Sequence, residues 1–348
     1  MKFLRRWQPS CYYVHSMRRL VWGCIAMYIV SVGPAFSQAE DHGDDLPTFR
    51  FSASVDAVHL NVSVVNKKGK LIHDLEQADF RLLEDDVVQE IVYFSRGTDS
   101  PVDVVMLVDA SGSMEVTAKA ANARNAAVQL IRGLKPEDRV AVYAFDRDLY
   151  RLTDFSQTKE EAVEALTRLE PFGSTALYDA VAMLSDHVIH EGFGRRAIVV
   201  VTDGVDTSSG SSVEAAVDKA KGVDLPVYAI RVLSPVDDPN SDLFLGVHGA
   251  SFRGEDALRQ FTEETGGAMY EGSQWGQLVV ASARIREELK TQYRIGYIPQ
   301  QDDGEGEFRR IRVETRRRGI EVRTRKGYYP KKSSGLSNTR PATTESSN

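Results

Sequence analysis

Cysteine is nearly missing from this sequence, since its 348 residues include only two, Cys11 and Cys24. A scaffold held together by disulfide bonds is therefore excluded. Apolar runs are short as well. The longest, residues 20–32, has thirteen residues, whereas a membrane-spanning helix needs about twenty. The sequence therefore excludes a polytopic membrane protein.

An excess of positive charge is also lacking. The chain has 43 Lys and Arg against 50 Asp and Glu, a net charge of −7, so the whole chain is not built to bind nucleic acid or another polyanion. Common catalytic signatures are missing too: there is no nucleophile elbow, P-loop, glycine-rich dinucleotide motif or zinc-protease motif. These absences favour a binding role over catalysis.

The amino terminus has the composition of an export signal. Residues 1–19 contain five basic side chains and no acidic one, and the apolar run 20–32 follows them. Gly33 and Pro34 end a helix, and residues 35–37 have the small-x-small pattern of a signal-peptidase site. We predict cleavage near Ser37. The alternative is an uncleaved anchor, which is the only case in which we expect membrane contact.

Removal of residues 1–37 changes the character of the chain. Both cysteines are lost, so the mature protein has no thiol chemistry and cannot mispair in an oxidising compartment. The balance becomes 38 basic against 50 acidic residues, a net charge of −12. We therefore expect an acidic exported protein that is periplasmic, displayed on the cell surface or secreted.

The remaining chain divides by its pattern into β-rich ends and a mixed middle. The predicted segments are a signal peptide (1–37), a linker (38–48), an amino-terminal β module (49–98), an α/β domain (101–290), carboxyl-terminal β strands with a hairpin (291–330) and a disordered tail (331–348). Each β-rich flank is too small to bury a good core alone. We therefore predict that the two flanks pack together as one β-sandwich.

Apolar strands alternate with amphipathic helical patterns in the α/β domain. The strand-like runs are 102–108, 140–145, 197–202 and 227–232, and the helical patterns are 118–134, 159–169, 176–190, 213–221, 255–265 and 277–290. Continuous apolar strands are typical of a parallel sheet covered on both faces. This alternation predicts a doubly wound, mostly parallel, Rossmann-like α/β sheet with its ligand site at the carboxyl ends of the strands.

The carboxyl-terminal strands are strongly basic. Residues 309–332 contain eleven Lys and Arg against two Glu. Such a run can bind nucleic acid or anionic lipid, but alternating apolar residues indicate that one face packs inward. We favour a solvated or internally paired strand face, and we predict a hairpin that turns at residues 316–319. No nucleic-acid partner is expected.

Hydroxyl and carboxyl side chains gather where the predicted strands end. Asp109, Ser111 and Ser113 follow the first strand of the α/β domain as a D-x-S-x-S motif. Asp203 follows a second apolar strand, and Thr175 opens a helix between them. The carboxyl ends of parallel strands lie at one edge of a sheet, so these side chains are expected to meet there.

These motifs resemble those of a von Willebrand factor type A (VWA) domain with an intact metal-ion-dependent adhesion site. The resemblance covers residues 101–290, and the flanking β segments are similar to those of bacterial exported proteins with a VWA-related domain. It implies a Mg²⁺ ion, with Mn²⁺ or Ca²⁺ as alternatives. Ser111, Ser113 and Thr175 would be hydroxyl ligands, and Asp109 and Asp203 would be outer acids that act through bound waters.

The chemistry of these side chains agrees with that implication. Mg²⁺ prefers oxygen ligands and gives up water reluctantly, which suits hydroxyl groups and carboxylates bridged by water. An ion with few anionic ligands keeps positive charge for an Asp or Glu carboxylate of a partner protein. The predicted function is thus Mg²⁺-dependent protein binding or adhesion. An intact motif in a domain that works without metal is the alternative interpretation.

Other features leave alternatives open. Residues 234–253 form a long loop with Asp237, Asp238, Asp242 and His248, which either helps to select the partner or is a tolerated insertion. His187 and His190 lack an acidic ligand pattern, so we interpret them as ordinary helix residues. A metal-dependent hydrolase and a structural envelope-assembly protein remain alternative functions. The sequence specifies neither the partner nor the oligomeric state.

Overall fold

The computed structural model describes residues 57–97, 101–188, 195–222, 225–236, 238, 243, 249–300 and 306–330, without the side chains of 116–118 and 249–252. The predicted signal peptide, the linker 38–48 and the tail 331–348 lie outside these residues. Within the described part of the chain, no helix combines the length and the apolar character needed to span a bilayer.

The α/β domain is built on one six-stranded sheet with the strand order β10-β9-β8-β5-β6-β7. The strands are β5 (Val102–Asp109), β6 (Arg139–Phe145), β7 (Leu149–Thr153), β8 (Arg195–Thr202), β9 (Val227–Val232) and β10 (Met269–Gly272). All neighbours are parallel except β6 and β7, which are antiparallel. The central strand β5 is buried along its whole length.

Helices cover both faces of this sheet. They are α1 (Lys119–Arg132), α2 (Lys159–Thr167), α3 (Leu177–Val188), α4 (Val213–Gly222), α5 (Gly249–Thr265) and α6 (Trp275–Thr291). Helices α1, α2 and α6 share one apolar core with Val104 and Met106, whereas α3, α4 and α5 share the other with Val105 and Leu107. Successive side chains of β5 point to opposite faces of the sheet and so contribute to both cores. The predicted doubly wound fold is confirmed.

The direction of the chain reverses beside β5. From β5 the chain passes through α1 to β6 on one side, whereas from β8, on the other side of β5, it passes through α4 to β9. The loops after β5 and β8 therefore diverge to opposite faces and leave a crevice between them. Asp109 and Asp203 stand at this point of the sheet.

The two flanking segments together form a sandwich of two antiparallel four-stranded sheets, ordered β13-β1-β11-β4 and β14-β12-β2-β3. Its strands are β1 (Val58–Asn66), β2 (Phe80–Glu84), β3 (Val87–Gln89), β4 (Ile91–Arg96), β11 (Tyr293–Tyr297), β12 (Arg309–Thr315), β13 (Ile320–Arg323) and β14 (Gly327–Tyr328). Both sheets contribute to one apolar core that includes Leu60, Leu82, Ile295 and Ile311. The predicted β module from both ends of the chain is therefore present.

The predicted hairpin of the carboxyl-terminal strands is wrong in its pairing. Strand β12 pairs with β2 and β14, whereas β13 pairs with β1 in the opposite sheet. The turn at residues 316–319, in which Gly319 has a φ of +76°, carries the chain from one sheet to the other. The alternating pattern did not distinguish these arrangements, because both bury the same apolar side chains in the core.

Candidate functional site

Asp109 ends β5 and is buried at the carboxyl edge of the sheet. Its carboxylate accepts hydrogen bonds from the Ser111 backbone N–H at 2.9 Å and from the Thr202 hydroxyl at 2.6 Å. Burial is the main cause that raises the pKa of Asp109 from 3.8 to about 6, and the negative charge of Asp203 adds to it. A bound cation would relieve both of these unfavourable effects.

The hydroxyl groups of Ser111, Ser113 and Thr175 form a chain beside Asp109. The Oγ atoms of Ser111 and Ser113 are 3.0 Å apart, and Ser113 Oγ is 3.4 Å from Thr175 Oγ1. Ser111 is extended and precedes a 3₁₀ turn, Gly112–Ala118. This turn begins with Met114 N–H donating to the Ser111 carbonyl at 3.0 Å, so it directs both serine side chains to one place.

A second loop brings Thr175 to the two serines. The Phe172 N–H donates to the Ala110 carbonyl at 2.7 Å, and the Gly112 N–H donates to the Gly173 carbonyl at 2.9 Å. Gly173 has a φ of +78°, a backbone conformation that residues other than glycine adopt only with strain. The loop is therefore fastened to the D-x-S-x-S turn by backbone hydrogen bonds. Phe172 itself is 79% exposed.

Asp203 follows β8 and is also buried. Its Oδ1 atom accepts from the Val205 N–H at 3.0 Å, and its Oδ2 atom accepts from Lys119 Nζ at 2.9 Å. The sequence motifs did not identify Lys119 as a residue of this site. No local signal marks it, because Lys119 lies where the 3₁₀ turn Gly112–Ala118 continues into α1 and its role depends on the contact with Asp203.

The structure brings all five predicted site residues to one edge of the sheet. They supply three hydroxyl oxygens and two carboxylates, a set of hard oxygen donors that fits Mg²⁺. Within the residues that the structure describes, no group of three or more His, Cys, Asp or Glu side chains is placed to hold a metal. A metal at this edge therefore depends on the hydroxyl groups, and their role as ligands remains a prediction.

Only part of the loop 234–253, and only one of the two histidines, belongs to the described residues. Asp237, Asp242, His248 and His190 lie outside the described residues. Asp238 is buried and accepts from the Ser273 hydroxyl at 2.6 Å, so it holds two loops together. His187 is exposed, and its Nδ1 atom lies 2.7 Å from the Met183 carbonyl oxygen, as in an ordinary helix residue.

The basic carboxyl-terminal strands are paired with acidic side chains of this chain. The ion pairs join Arg309 to Glu84 at 3.0 Å, Arg312 to Asp86 at 2.9 Å, Arg317 to Asp74 at 2.8 Å and Arg323 to Glu288 at 2.8 Å. The structure thus agrees with an internally paired strand face. Within the described part of this run, residues 309–330, these ion pairs neutralise part of the positive charge.

Sequence comparison links the site to a known family. The model of the von Willebrand factor type A domain matches residues 104–205, a range that contains all five predicted site residues. The sheet, its helices and this match together give the α/β domain the von Willebrand factor type A fold.

Two curated relatives match parts of the chain. The thrombospondin-related anonymous protein of Plasmodium falciparum is 28% identical over 175 residues, which is 46% of this chain and 31% of that protein. An uncharacterized protein of Borreliella burgdorferi is 24% identical over 151 residues, 41% of this chain and 43% of its own length. The chain therefore spans less than half the length of each.

Two solved structures are also similar. A von Willebrand factor type A protein from Catenulispora acidiphila is 13% identical, with a TM-score of 0.45 over 79% of this chain and 75% of that one. An aerotolerance-related membrane protein from Bacteroides fragilis is 20% identical, with a TM-score of 0.42 over 54% of this chain and 98% of that one.

Proposed function

We propose that this chain is an exported, non-enzymatic binding protein that uses Mg²⁺ to engage an Asp or Glu carboxylate of a partner protein. One observation carries the proposal: three hydroxyl groups and two buried carboxylates converge where β5 and β8 end. The side chains that would hold the ion are those of Asp109, Ser111, Ser113, Thr175 and Asp203.

The donor set determines what the ion would supply. Hydroxyl ligands are neutral, so a bound Mg²⁺ would keep positive charge to attract an anionic group from outside. The protein residues orient this site: the Ser111 N–H and the Thr202 hydroxyl hold the carboxylate of Asp109. The same oxygen donors also suit Mn²⁺ and Ca²⁺.

The surface beside the site supports a protein partner. Phe172 is 79% exposed, and its backbone is hydrogen-bonded to Ala110 in the D-x-S-x-S segment. Aromatic side chains are enriched at protein–protein interfaces, so an exposed ring beside the site favours a protein ligand. VWA domains generally mediate protein–protein interaction or adhesion, which also favours binding over catalysis.

The first step of the test measures metal binding by thermal unfolding of the mature chain. If Mg²⁺ binds with a Kd of about 0.1 mM, about 1 mM Mg²⁺ stabilises the fold by roughly 1.4 kcal/mol and raises Tm by a few degrees. Ser111→Ala should lose this shift. The control Ser156→Ala changes an exposed serine after β7 and should keep it. Equal behaviour of the wild type and Ser111→Ala would contradict metal binding at this site.

The second step tests the carboxylate. Random peptides displayed on phage are selected on the wild-type chain in Mg²⁺ and eluted with chelator. We expect Asp or Glu to be enriched at one position of the eluted peptides, and the enrichment to disappear on Ser111→Ala. Retained peptides without any acidic residue would contradict the proposed ligand. Ester or phosphate hydrolysis that Asp109→Ala abolishes would instead establish the hydrolase alternative.

A further inference from the structure

A lysine side chain reaches into the candidate metal site. The Nζ atom of Lys119 lies 2.9 Å from Asp203 Oδ2, and the two side chains are only 14% and 4% exposed. Asp203 Oδ1 is already bonded to the Val205 N–H at 3.0 Å. Both oxygens of this carboxylate therefore have a donor before any metal is considered.

The position of Lys119 is unfavourable apart from this contact. Its side chain is largely shielded from solvent, and a sheltered ammonium group loses hydration. The contact with Asp203 offsets this cost. In turn, the ammonium group neutralises a carboxylate that lies close enough to Asp109 to raise its pKa.

We propose that Lys119 is a built-in competitor of the divalent ion: its ammonium group holds Asp203 in the metal-free chain and must leave it when the ion binds. This inference rests on the proposed function. The reason is electrostatic, because a divalent ion and an ammonium group repel each other when they share one buried carboxylate. Lys119 therefore lowers the metal affinity and stabilises the metal-free fold.

The release of Lys119 is connected to the hydroxyl ligands through the chain. Ser113 lies at the beginning of the 3₁₀ turn Gly112–Ala118, and Lys119 follows its end. The Lys119 N–H donates to the Met114 carbonyl, so the turn is closed at the lysine. Exchange of the ammonium group for the ion thus takes place within the segment that positions Ser113.

Mn²⁺ titration of four chains by calorimetry tests the proposal. We expect Lys119→Met to bind Mn²⁺ more tightly than the wild type, on the order of tenfold, and to have a lower Tm in chelator. Lys119→Arg keeps the positive charge and should bind about as weakly as the wild type. The control Lys219→Met, on α4, removes an exposed ion pair with Asp186 of α3 and should leave the affinity unchanged.

A labelling experiment on the wild type does not depend on how the variants fold. Acetic anhydride acetylates free amines, and mass spectrometry measures the rate at Lys119. Saturating Mn²⁺ should increase that rate at least several-fold, while Lys221, which is paired with Asp218 at 2.8 Å, should react equally with and without the metal.

The outcomes separate this inference from the proposed function. If the wild type binds Mn²⁺, but Lys119→Met binds it no more tightly and Lys119 labelling stays constant, the competitor role is overturned while metal binding stands. If neither the wild type nor Lys119→Met binds Mn²⁺, the proposed function fails together with this inference. If only Lys119→Met binds, competition is supported and the Mg²⁺-dependent function of the wild type is overturned.

Discussion

At the scale of single residues, Asp109 combines deep burial with a neighbouring negative charge. These two effects raise its pKa from 3.8 to about 6 in the fold. Between pH 3.8 and about pH 6, the folded chain therefore keeps a proton on Asp109 that the unfolded chain has already released. Folding is then favoured at low pH, and this contribution is lost as the pH rises through about 6. A shift of about two pKa units corresponds to about 3 kcal/mol.

The variant Asp109→Asn tests this pH dependence. Asparagine carries no charge at any pH, so in chelator its free energy of unfolding relative to the wild type should increase by about 2 kcal/mol between pH 4 and pH 7.5. Denaturant unfolding at both pH values measures it. Asp179→Asn is the control: a hydrogen bond with Ser211 lowers the pKa of Asp179, so its pH-dependent contribution lies below about pH 4 and the difference from the wild type should change little between these pH values. If the difference in free energy of unfolding between Asp109→Asn and the wild type does not change with pH, the raised pKa of Asp109 is contradicted.

Single residues also show how far the sequence predicts the site. Asp109, Ser111 and Ser113 follow a strand in one short motif, and Asp203 and Thr175 stand at the ends of other elements, so parallel topology alone brings them together. Lys119 is different. Its role depends on a contact 84 residues away in the chain, and only the packing of α1 against the end of β8 creates that contact.

At the scale of elements, α6 connects the α/β domain to the sandwich through a buried carboxylate. Glu288 accepts hydrogen bonds from the hydroxyl groups of Tyr228 and Tyr270, both at 3.1 Å, and from Arg323 Nη2 at 2.8 Å. Its side chain is fully buried. Burial and the charge of Glu288 raise the pKa of Tyr270 to about 12, so both tyrosines remain protonated donors.

Removal of the Arg323 guanidinium group from this network should destabilise the fold. Arg323→Met leaves the carboxylate of Glu288 buried without its ion pair, so the free energy of unfolding should fall by about 3–5 kcal/mol. Arg312→Met removes an exposed pair with Asp86, whose side chains are 57% and 69% exposed, and should cost at most about 1 kcal/mol. Denaturant unfolding compares the two variants. Equal losses of free energy of unfolding in the two variants would contradict the expectation that a buried ion pair costs more to break than an exposed one.

Within the α/β domain, the two strands that the sequence did not predict lie at the edges of the six-stranded sheet. Strands β7 and β10 each have one neighbour, and in each of them only the last residue is buried. They lack the continuous apolar run that marks the central strands. The hairpin assigned to β12 and β13 was wrong for a related reason, since local alternation shows which face is buried but not which strand lies beside it.

At the scale of the whole molecule, the sandwich joins segments that are far apart in sequence. Strand β11 lies between β1 and β4, and Val62 of β1 is paired with Tyr293 across more than two hundred residues. The small size of each flank predicted this association, because neither buries enough apolar surface alone. The order of strands was not predictable, since it depends on which edges meet once the core has formed.

This architecture predicts that the amino-terminal strands depend on the carboxyl-terminal ones. A chain that ends at Lys290 lacks β11 to β14, so β1 and β4 lose their shared neighbour and the core around Leu60 loses the apolar side chains of the carboxyl-terminal strands. Limited proteolysis followed by mass spectrometry should then show rapid cleavage within residues 57–97, while residues 101–290 resist. A chain that ends at Pro330 keeps all fourteen strands and should protect both regions. Protection of residues 57–97 in the shorter chain would show that the amino-terminal flank folds alone.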